Sequence, residues 1–583
     1  MSVPKALGAV PDRDGTTFRV WTTRATRVRV RLFDSEGPVV REVDLESRGD
    51  GDFEAHVAGV APGALYNVVL DDDEVPDPYA RFLPRGVHGP AEVIAPERTP
   101  ALPRTLALDA AVTYELHVGT FTPEGTFAAA AERLEDLAAL GVGAVELMPV
   151  AAFNGERGWG YDGVAHYAPH APYGRPEDLR RFVRRAHELG LGVLLDVVYN
   201  HFGPSGNYLS RYAGEYFTAA HTTPWGEAPD FAHPRLRRHV LGSAQMWLEE
   251  YGFDGLRLDA THAILDDSAR HVLRDLADLA AALRPPRVLV AEDERNDPEL
   301  VALQGMAAIW TDDFHHTIRA LMAGDRDGYY GAYEPTVAAL ARVIERGWEY
   351  EGQHYSPWAR GRGKPAGALP FEHFVFCLEN HDQSGNRAFG ERLSQDVTSG
   401  AFAAATVLLL FLPMSPLLFM GQEWGASTPF LYFTDHEPDL GGLVTQGRRE
   451  EFKSFGAFAD AQLRERIPDP QAPSTFERSR LRWEERDRPE HAATLALVRR
   501  MLELRRSDPV LRERCERGAL HARAEGDALI VERHGPSGRR VLVANFTKRD
   551  LPIDWRAFGR PLVATREALE AGLAPESAIV LAP

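Results

Sequence analysis

A chain of 583 residues is too long for one ordinary domain but can hold one large α/β barrel with smaller attachments. Its 44% hydrophobic and 26% charged residues are those of a soluble globular protein, which excludes long disorder. A net charge of −20, with acids and bases interspersed, disfavours nucleic acid and anionic membrane as partners.

The N-terminal stretch Met-Ser-Val-Pro-Lys-Ala-Leu-Gly has no signal-peptide apolar core, and only two cysteines occur, Cys377 and Cys515. Both point to a cytoplasmic protein without a disulfide or zinc framework. From about Thr16 to Ile94, Thr17–Trp21, Arg27–Phe33 and Leu65–Leu70 alternate apolar with polar residues between Gly, Pro and Asp. This predicts a small antiparallel sandwich over residues 1–98. Thr99-Pro-Ala-Leu-Pro-Arg104 reads as a linker.

From about Val112, short apolar strands alternate with helical stretches. Eight strands are expected: Thr113–Val118, Ala144–Pro149, Gly192–Tyr199, Gly255–Asp259, Arg287–Glu292, Ala308–Asp312, Phe374–Glu379 and Leu417–Gly421. Eight is the number that closes a TIM (β/α)8 barrel, here placed over 99–506 with a long loop, about Phe202 to Phe231, after the third strand. A helix beginning at Pro176 presents Leu179, Phe182, Val183, Ala186 and Leu189 on one face and stops at Gly190. Another spans Phe127 to Leu140. The apolar run Ala401–Met420 is interrupted by Pro413 and Pro416, so it reads as a buried helix, Ala401–Leu412, followed by a strand, and not as a membrane span. After about Pro509, Ala528–Glu532, Arg540–Asn545 and Ala578–Leu581 predict a second β-sandwich over 507–583.

Polar residues collect where the barrel strands end. With period two, Phe253, Gly255, Arg257 and Asp259 share one strand face, so an Arg and an Asp point the same way. A guanidinium beside a carboxylate keeps it ionised, as a nucleophile or a counter-ion to a developing cation requires. The third strand ends Asp196-Val-Val-Tyr-Asn-His201, the fourth is followed by His262, the fifth ends Glu292-Asp293, and the seventh runs into Glu379-Asn-His-Asp382. In a closed barrel these ends share a rim, so Asp259, Glu292 and Asp382 should meet. Carboxylates without clustered metal spacing favour glycoside chemistry: one acid donates a proton while another attacks or stabilises an oxocarbenium-like centre. Asp259 beside Arg257 suits the anionic role, and Glu292, closing the apolar run Val288–Ala291, the protonated one.

The blocks Asp196–His201, Gly252–Asp259, Ala291-Glu292 and Glu379–Asp382 resemble, in order, the four signature regions of the α-amylase family of retaining α-glucan enzymes. The resemblance implies Asp259 as nucleophile, Glu292 as general acid/base and Asp382 as transition-state stabiliser. It implies that Arg257, His201 and His381 hold the sugar, with Tyr161 of Trp159-Gly-Tyr-Asp162 stacking on it and Tyr167 as a structural companion. Asp196 orients Arg257, and His262 joins the substrate-binding group.

Asp293 has two open readings: it faces the leaving-group sugar, or alternation turns it away from Glu292. Trp225 is a candidate for stacking on glucose or for packing its loop, and His117 reads as a hydrogen-bonded core histidine. Three further stretches, Tyr114–Gly125, His381–Arg387 and Phe419–Phe430 with Tyr432–His436, resemble the family's trehalose-releasing members. Those act on malto-oligosyltrehalose and are coupled in metabolism to the synthase that makes its 1,1-linked terminus. Gln422 stands where that pattern has Glu, and Glu379 where it has Gln. No cofactor is expected. Many amylases hold calcium near the loop after the third strand, but no oxygen cage assembles around Asn200, so none is expected. A glucan branching or debranching enzyme is the alternative reading.

Overall fold

The computed structural model describes residues 6–34, 37–223, 226–455, 460–566 and 572–583. Trp225 lies outside the described residues. Near the N-terminus two antiparallel sheets face each other: Gly8–Pro11, Gly15–Trp21, Asp52–Ala58 and Glu46–Gly49 in one, Val39–Asp44, Val28–Phe33, Leu65–Leu70 and Asp73–Val75 in the other. Alternation decides which residues go inside: Val28, Val30 and Leu32 are buried, while Arg29 and Arg31 pair with Glu42 at the surface. This sandwich leans on the loop after the third barrel strand. Trp21 packs edge-on against Tyr216, and Arg235 grips Asp52 with two bonds of 2.8 and 2.7 Å. The linker is not loose, for Thr99 N–H donates to Glu250 O and Leu102 is buried.

The eight central strands form a closed parallel barrel. They are β1 (Thr113–Leu116), β2 (Ala144–Leu147), β3 (Gly192–Val197), β4 (Gly255–Leu258), β5 (Val288–Glu292), β6 (Ala308–Trp310), β7 (Phe374–Cys377) and β8 (Ser415–Phe419). Closure comes from β8 pairing with β1, Leu417 opposite Thr113. The lower interior is an apolar plug of Ala144, Leu194, Val288, Val290, Ala308, Val375 and Leu417, sealed below by Leu106 and Leu108. Side chains alternate, so the next inward positions carry Glu115, Glu146, Asp196 and Arg257, all buried. Gly255 is required where β4 crosses the plug: a Cβ there would lie 2.4 Å from Val288 O and 2.7 Å from Leu194 Cδ2.

The helix Pro176–Glu188 buries Leu179, Phe182, Val183 and Ala186 against the barrel, and Gly190 (φ 78°) turns the chain into β3. The stretch Phe127–Leu140 is two helices, Phe127–Glu132 and Leu134–Leu140, meeting at Arg133, whose guanidinium lies 4.5 Å from the Trp483 ring. Residues 202–231, expected to be irregular, hold a helix Leu209–Tyr212 and a hairpin Phe217–Thr223 with Gly226–Pro229. Burial of Tyr212, Tyr216 and Phe231 beneath the sandwich supplies the core for that order.

The apolar helix runs Ser399–Phe411, capped by Thr398, whose Oγ1 accepts from Ala401 N–H. Apart from Ser399 and the half-buried Ala403 it is buried on all sides, which explains a composition that imitates a membrane segment. No helix among the described residues is long and apolar enough to cross a membrane. The C-terminal strands Leu520–Glu525, Ala528–Gly535, Gly538–Asn545, Ser577–Ala582 and Arg560–Ala564 make one antiparallel sheet in that spatial order. One face joins the main core through Leu529, Val531, Leu542 and Val580, and the other is covered by Leu551, Ile553, Trp555 and Leu573. Two buried faces account for strands that read as continuous apolar runs.

Candidate active site

Asp259 follows the last residue of β4, and its N–H donates to Val197 O, which fixes it at the β3 and β4 ends. Its Oδ1 accepts from Arg257 Nη1 (2.8 Å) and its Oδ2 from Asn200 Nδ2 (2.9 Å). The same Nη1 reaches both oxygens of Asp196 at 2.9 Å. Arg257 is fully enclosed and its charge lies 4.4 Å from the Trp310 ring centre. Burial pushes Asp196 up to about 6, still below neutrality, so it faces Arg257 as an anion. Arg257 Nη2 has no hydrogen-bond partner in the protein and lies 3.5 Å from Glu292 Oε2.

Glu292 ends β5 on the inward side. Ala260 adopts a left-handed backbone (φ 39°), and its N–H donates to Glu292 Oε2 at 2.6 Å. Such a conformation costs a non-glycine residue free energy and is kept here beside the candidate acid. Burial first, then the charges of Asp259 and Asp382, outweigh Arg257 and push Glu292 up to about 8. At neutral pH the carboxyl is therefore mostly protonated, next to a carboxylate tied to a guanidinium.

Asp382 opens the short helix His381–Gly385 after β7 and accepts from Asn386 Nδ2 at 3.1 Å. It shares a cleft with Glu292, Trp310, Asp312, Tyr329 and Asn386. His381 binds Glu115 twice, N–H to Oε2 at 3.0 Å and Nδ1 to Oε1 at 2.5 Å. Burial alone would lower its pKa, but Glu115 and then Asp382 raise it to about 9, so the ring is cationic at neutral pH. Tyr161 stacks on that ring, centroids 5.0 Å apart; its OH accepts from His381 Nε2 (2.7 Å) and donates to Asp196 (2.5 Å). A continuous chain of hydrogen bonds, Glu115, His381, Tyr161, Asp196, Arg257, Asp259, thus runs across the strand ends. His201 contacts Tyr161 O (3.0 Å) and Asn200 Oδ1, and burial holds it below its ordinary pKa.

Asp259, Glu292, Asp382, Tyr161, Asp196, His201, Arg257 and His381 therefore meet on one rim. His262 sits on the turn Thr261–Ala263, 3.6 Å from Glu294, which lines the same cleft as Glu292 and Asp382. Asp293 needs correction as a sugar contact. Its side chain is fully enclosed, with both oxygens bound to Arg295 and one also accepting from Thr261 Oγ1 (2.7 Å), because strand alternation turns it outward. Asp293→Asn should lower thermal stability and leave KM within about twofold, as melting curves beside substrate titrations would measure.

Tyr167 donates to His239 O, and His117 is buried between Thr120, Gly158 O and Tyr173. Glu379 accepts from Arg392 Nη1 and Leu393 N–H, and Gln422 Oε1 accepts from Phe419 N–H; both are buried and line no part of the cleft.

Sequence reasoning missed Glu115, Asn200 and Trp310. A carboxylate at an inward position of an apolar strand was the available signal for Glu115. Glu115→Gln should return His381 toward neutrality and cost roughly 10- to 100-fold in kcat/KM through loss of orientation, with the ring's titration by NMR as the independent readout. Asn200 spends its amide on Asp259 and its carbonyl on His201, which assigns it to holding the nucleophile candidate.

Residues 116–225 match the family model "Alpha amylase, catalytic domain", and residues 6–80 match "Carbohydrate-binding module 48 (Isoamylase N-terminal domain)". A closed (β/α)8 barrel carrying these carboxylates, behind such a module, defines a glycoside hydrolase of the α-amylase class. Malto-oligosyltrehalose trehalohydrolase of Deinococcus radiodurans is 52% identical over 92% of this chain and 89% of its own. That of Saccharolobus solfataricus is 38% identical over 82% and 83%. A crystal structure from Salmonella typhimurium is 38% identical, covers 99% of this chain and 100% of its own, and has a TM-score of 0.91. The chain belongs to the family of the malto-oligosyltrehalose trehalohydrolases. A 1,4-alpha-glucan branching enzyme of Nocardia farcinica is more distant, at 29% over 72% of this chain and 60% of its own.

Proposed function

We propose that this protein hydrolyses, with retention of configuration, the α-1,4 bond adjacent to the terminal α,α-trehalose of a malto-oligosyltrehalose, releasing trehalose and a maltodextrin. The observation that carries the reading is a carboxylate, Asp259, and a protonated carboxyl, Glu292, on either side of one buried guanidinium in a chain that resembles a trehalohydrolase over 92% of its length. Glu292 gives its proton to the glycosidic oxygen as the C–O bond breaks, and Asp259 attacks the anomeric carbon to form a glycosyl ester. Glu292, now ionised, takes a proton from water, whose oxygen attacks the same carbon and frees Asp259. Two displacements return the original configuration. Asp382 and the Tyr161–His381 wall hold the ring while positive charge develops.

The match to carbohydrate-binding module 48 supports a glucan-binding role for the N-terminal sandwich, within the division 1–98, 99–506 and 507–583. Two buried free cysteines accord with a cytoplasmic setting, and the substrate's chemistry implies supply by the synthase that forms its 1,1-linked end. Incubation with maltotriosyltrehalose should yield trehalose and maltotriose. New α-1,6 branches from amylose, without trehalose release, would replace the reading with transfer.

A further inference from the structure

Far from the catalytic rim, a cavity lies between the C-terminal sheet and the barrel's lower end, near Asp109 before β1, Phe371 before β7 and Pro413 before β8. Five arginines line it: Arg505, Arg506, Arg512, Arg514 and Arg533. Two of these are deeply buried. Arg505 donates to the backbone carbonyls of Leu410, Leu412, Met414 and Asp109, and Arg533 to those of Phe411, Leu511 and Glu513 and to the Cys515 side chain. Arg533 Nε has no partner at all.

Leu410 and Phe411 end the helix Ser399–Phe411, and Leu412 caps it, so the two cations sit on the negative end of a helix dipole. A helix C-terminus offers about half an elementary charge, so it offsets two buried positive charges only in part, and Asp109 and Glu513 set two negative charges against the four arginines without an ion pair. Of the acids around the cavity, Asp109 lines it with no ion pair within 4 Å among the described residues, and the others have partners. Glu372 pairs with Arg514 at 2.7 Å, Asp508 with Arg540 at 2.8 Å, and Glu513 accepts from Ser537. Among the described residues, Arg505, Arg506, Arg512 and Arg533 form no ion pair within 4 Å with a carboxylate. Burial and the charge of Arg533 lower Arg505 to about 9, outweighing the opposing charge of Asp109.

We propose that this cavity is an oxyanion site taking a phosphate group, either inorganic phosphate or that of a small phosphate monoester, and that its occupant ties the C-terminal sheet to the barrel. Arg505 and Arg533 form the floor, and Arg506 and Arg512, exposed at the rim, close over the anion with planar donor pairs suited to phosphate. The net charge of −20 makes non-specific attraction of an anion elsewhere unfavourable, so a saturable effect identifies this pocket.

The test is a melting curve of the full chain in sodium phosphate against sodium chloride at equal ionic strength, repeated with glucose 6-phosphate. Phosphate at about 100 times its Kd should raise Tm by about 2 °C beyond chloride. The double variant Arg506→Gln/Arg512→Gln should melt as wild type in chloride and lose the phosphate shift. A larger shift with glucose 6-phosphate assigns a monoester, and an equal or smaller one assigns free phosphate. No shift beyond chloride, or a full shift in the double variant, overturns the proposal.

Discussion

Asp259→Asn should lower kcat on maltotriosyltrehalose by at least about three orders of magnitude while the protein still folds. The amide keeps the shape of the carboxyl, and Arg257 keeps both oxygens of Asp196, so the buried guanidinium is not abandoned. What disappears is the charge that attacks the anomeric carbon. One of the two bonds at this position, from Arg257 or from Asn200, must also be lost, because an amide has one acceptor oxygen where the carboxylate has two. The expected cost in stability is about 1–2 kcal/mol, readable by denaturant titration. Glu292 supplies a second readout. The Asp259 charge helps to raise its pKa, so the variant's Glu292 should titrate lower than in the wild type. Near-normal turnover in this variant would remove Asp259 as nucleophile, and an unchanged Glu292 titration would show that the two carboxyls do not feel each other.

The same alternation that places Asp259 beside Arg257 explains how much of the fold could be read in advance. All eight barrel strands lie where short apolar runs stand between helical stretches, but most end one or two residues early. Tyr199, Asp259, Thr311 and Leu378 continue the apolar or alternating pattern and yet leave the ladder, because at the rim the backbone turns to carry site residues. For Asp293, period two supplied one of two open readings, the one in which it faces away from Glu292. The four signature blocks, each on or beside the end of a barrel strand, brought the three acids together without knowledge of any loop.

The wall opposite Asp259 was not legible. It is built by residues between β6 and β7, including Tyr329, Tyr355 and Arg362, which line the cleft beside Glu292 and Asp382. Tyr329, Tyr355 and Arg362 lie outside the two periodic helices of that segment, Asp312–Met322 and Val337–Arg346. Its position is set by Arg362, which reaches Asp313 at 2.9 Å, Tyr333 OH at 2.7 Å and Glu294 O at 2.7 Å. A contact between residues so far apart in sequence follows from closure of the barrel and has no local signature. Glu115 was missed for a different reason: a single acid in an apolar strand looks unfavourable until His381, brought round from β7, accepts the pairing.

Glu292→Gln should abolish turnover on natural substrate and at the same time stabilise the fold above pH 5. The carboxyl's folded-state value, about 8, stands above its ordinary 4.5. Between these values the folded protein holds a proton that the unfolded chain has released, so stability is fully present below about pH 4.5 and falls as pH rises towards 8. Glutamine keeps the acceptor for Ala260 N–H and never ionises, so the variant escapes that loss. With the side chain 23% exposed, solvent screening reduces the benefit to the order of 1–3 kcal/mol at pH 8, vanishing near pH 4. Activity runs with the opposite need. The proton that costs stability when it leaves is the one given to the leaving oxygen, so wild-type kcat/KM should decline tenfold per pH unit above about 8. Asp382→Asn, by removing one of the charges that raise Glu292, should move that alkaline limb to lower pH in addition to slowing the reaction. A limb that stays at the same pH in Asp382→Asn, or a Glu292→Gln protein that melts no higher than wild type at pH 8, would separate Glu292 from the role of proton donor.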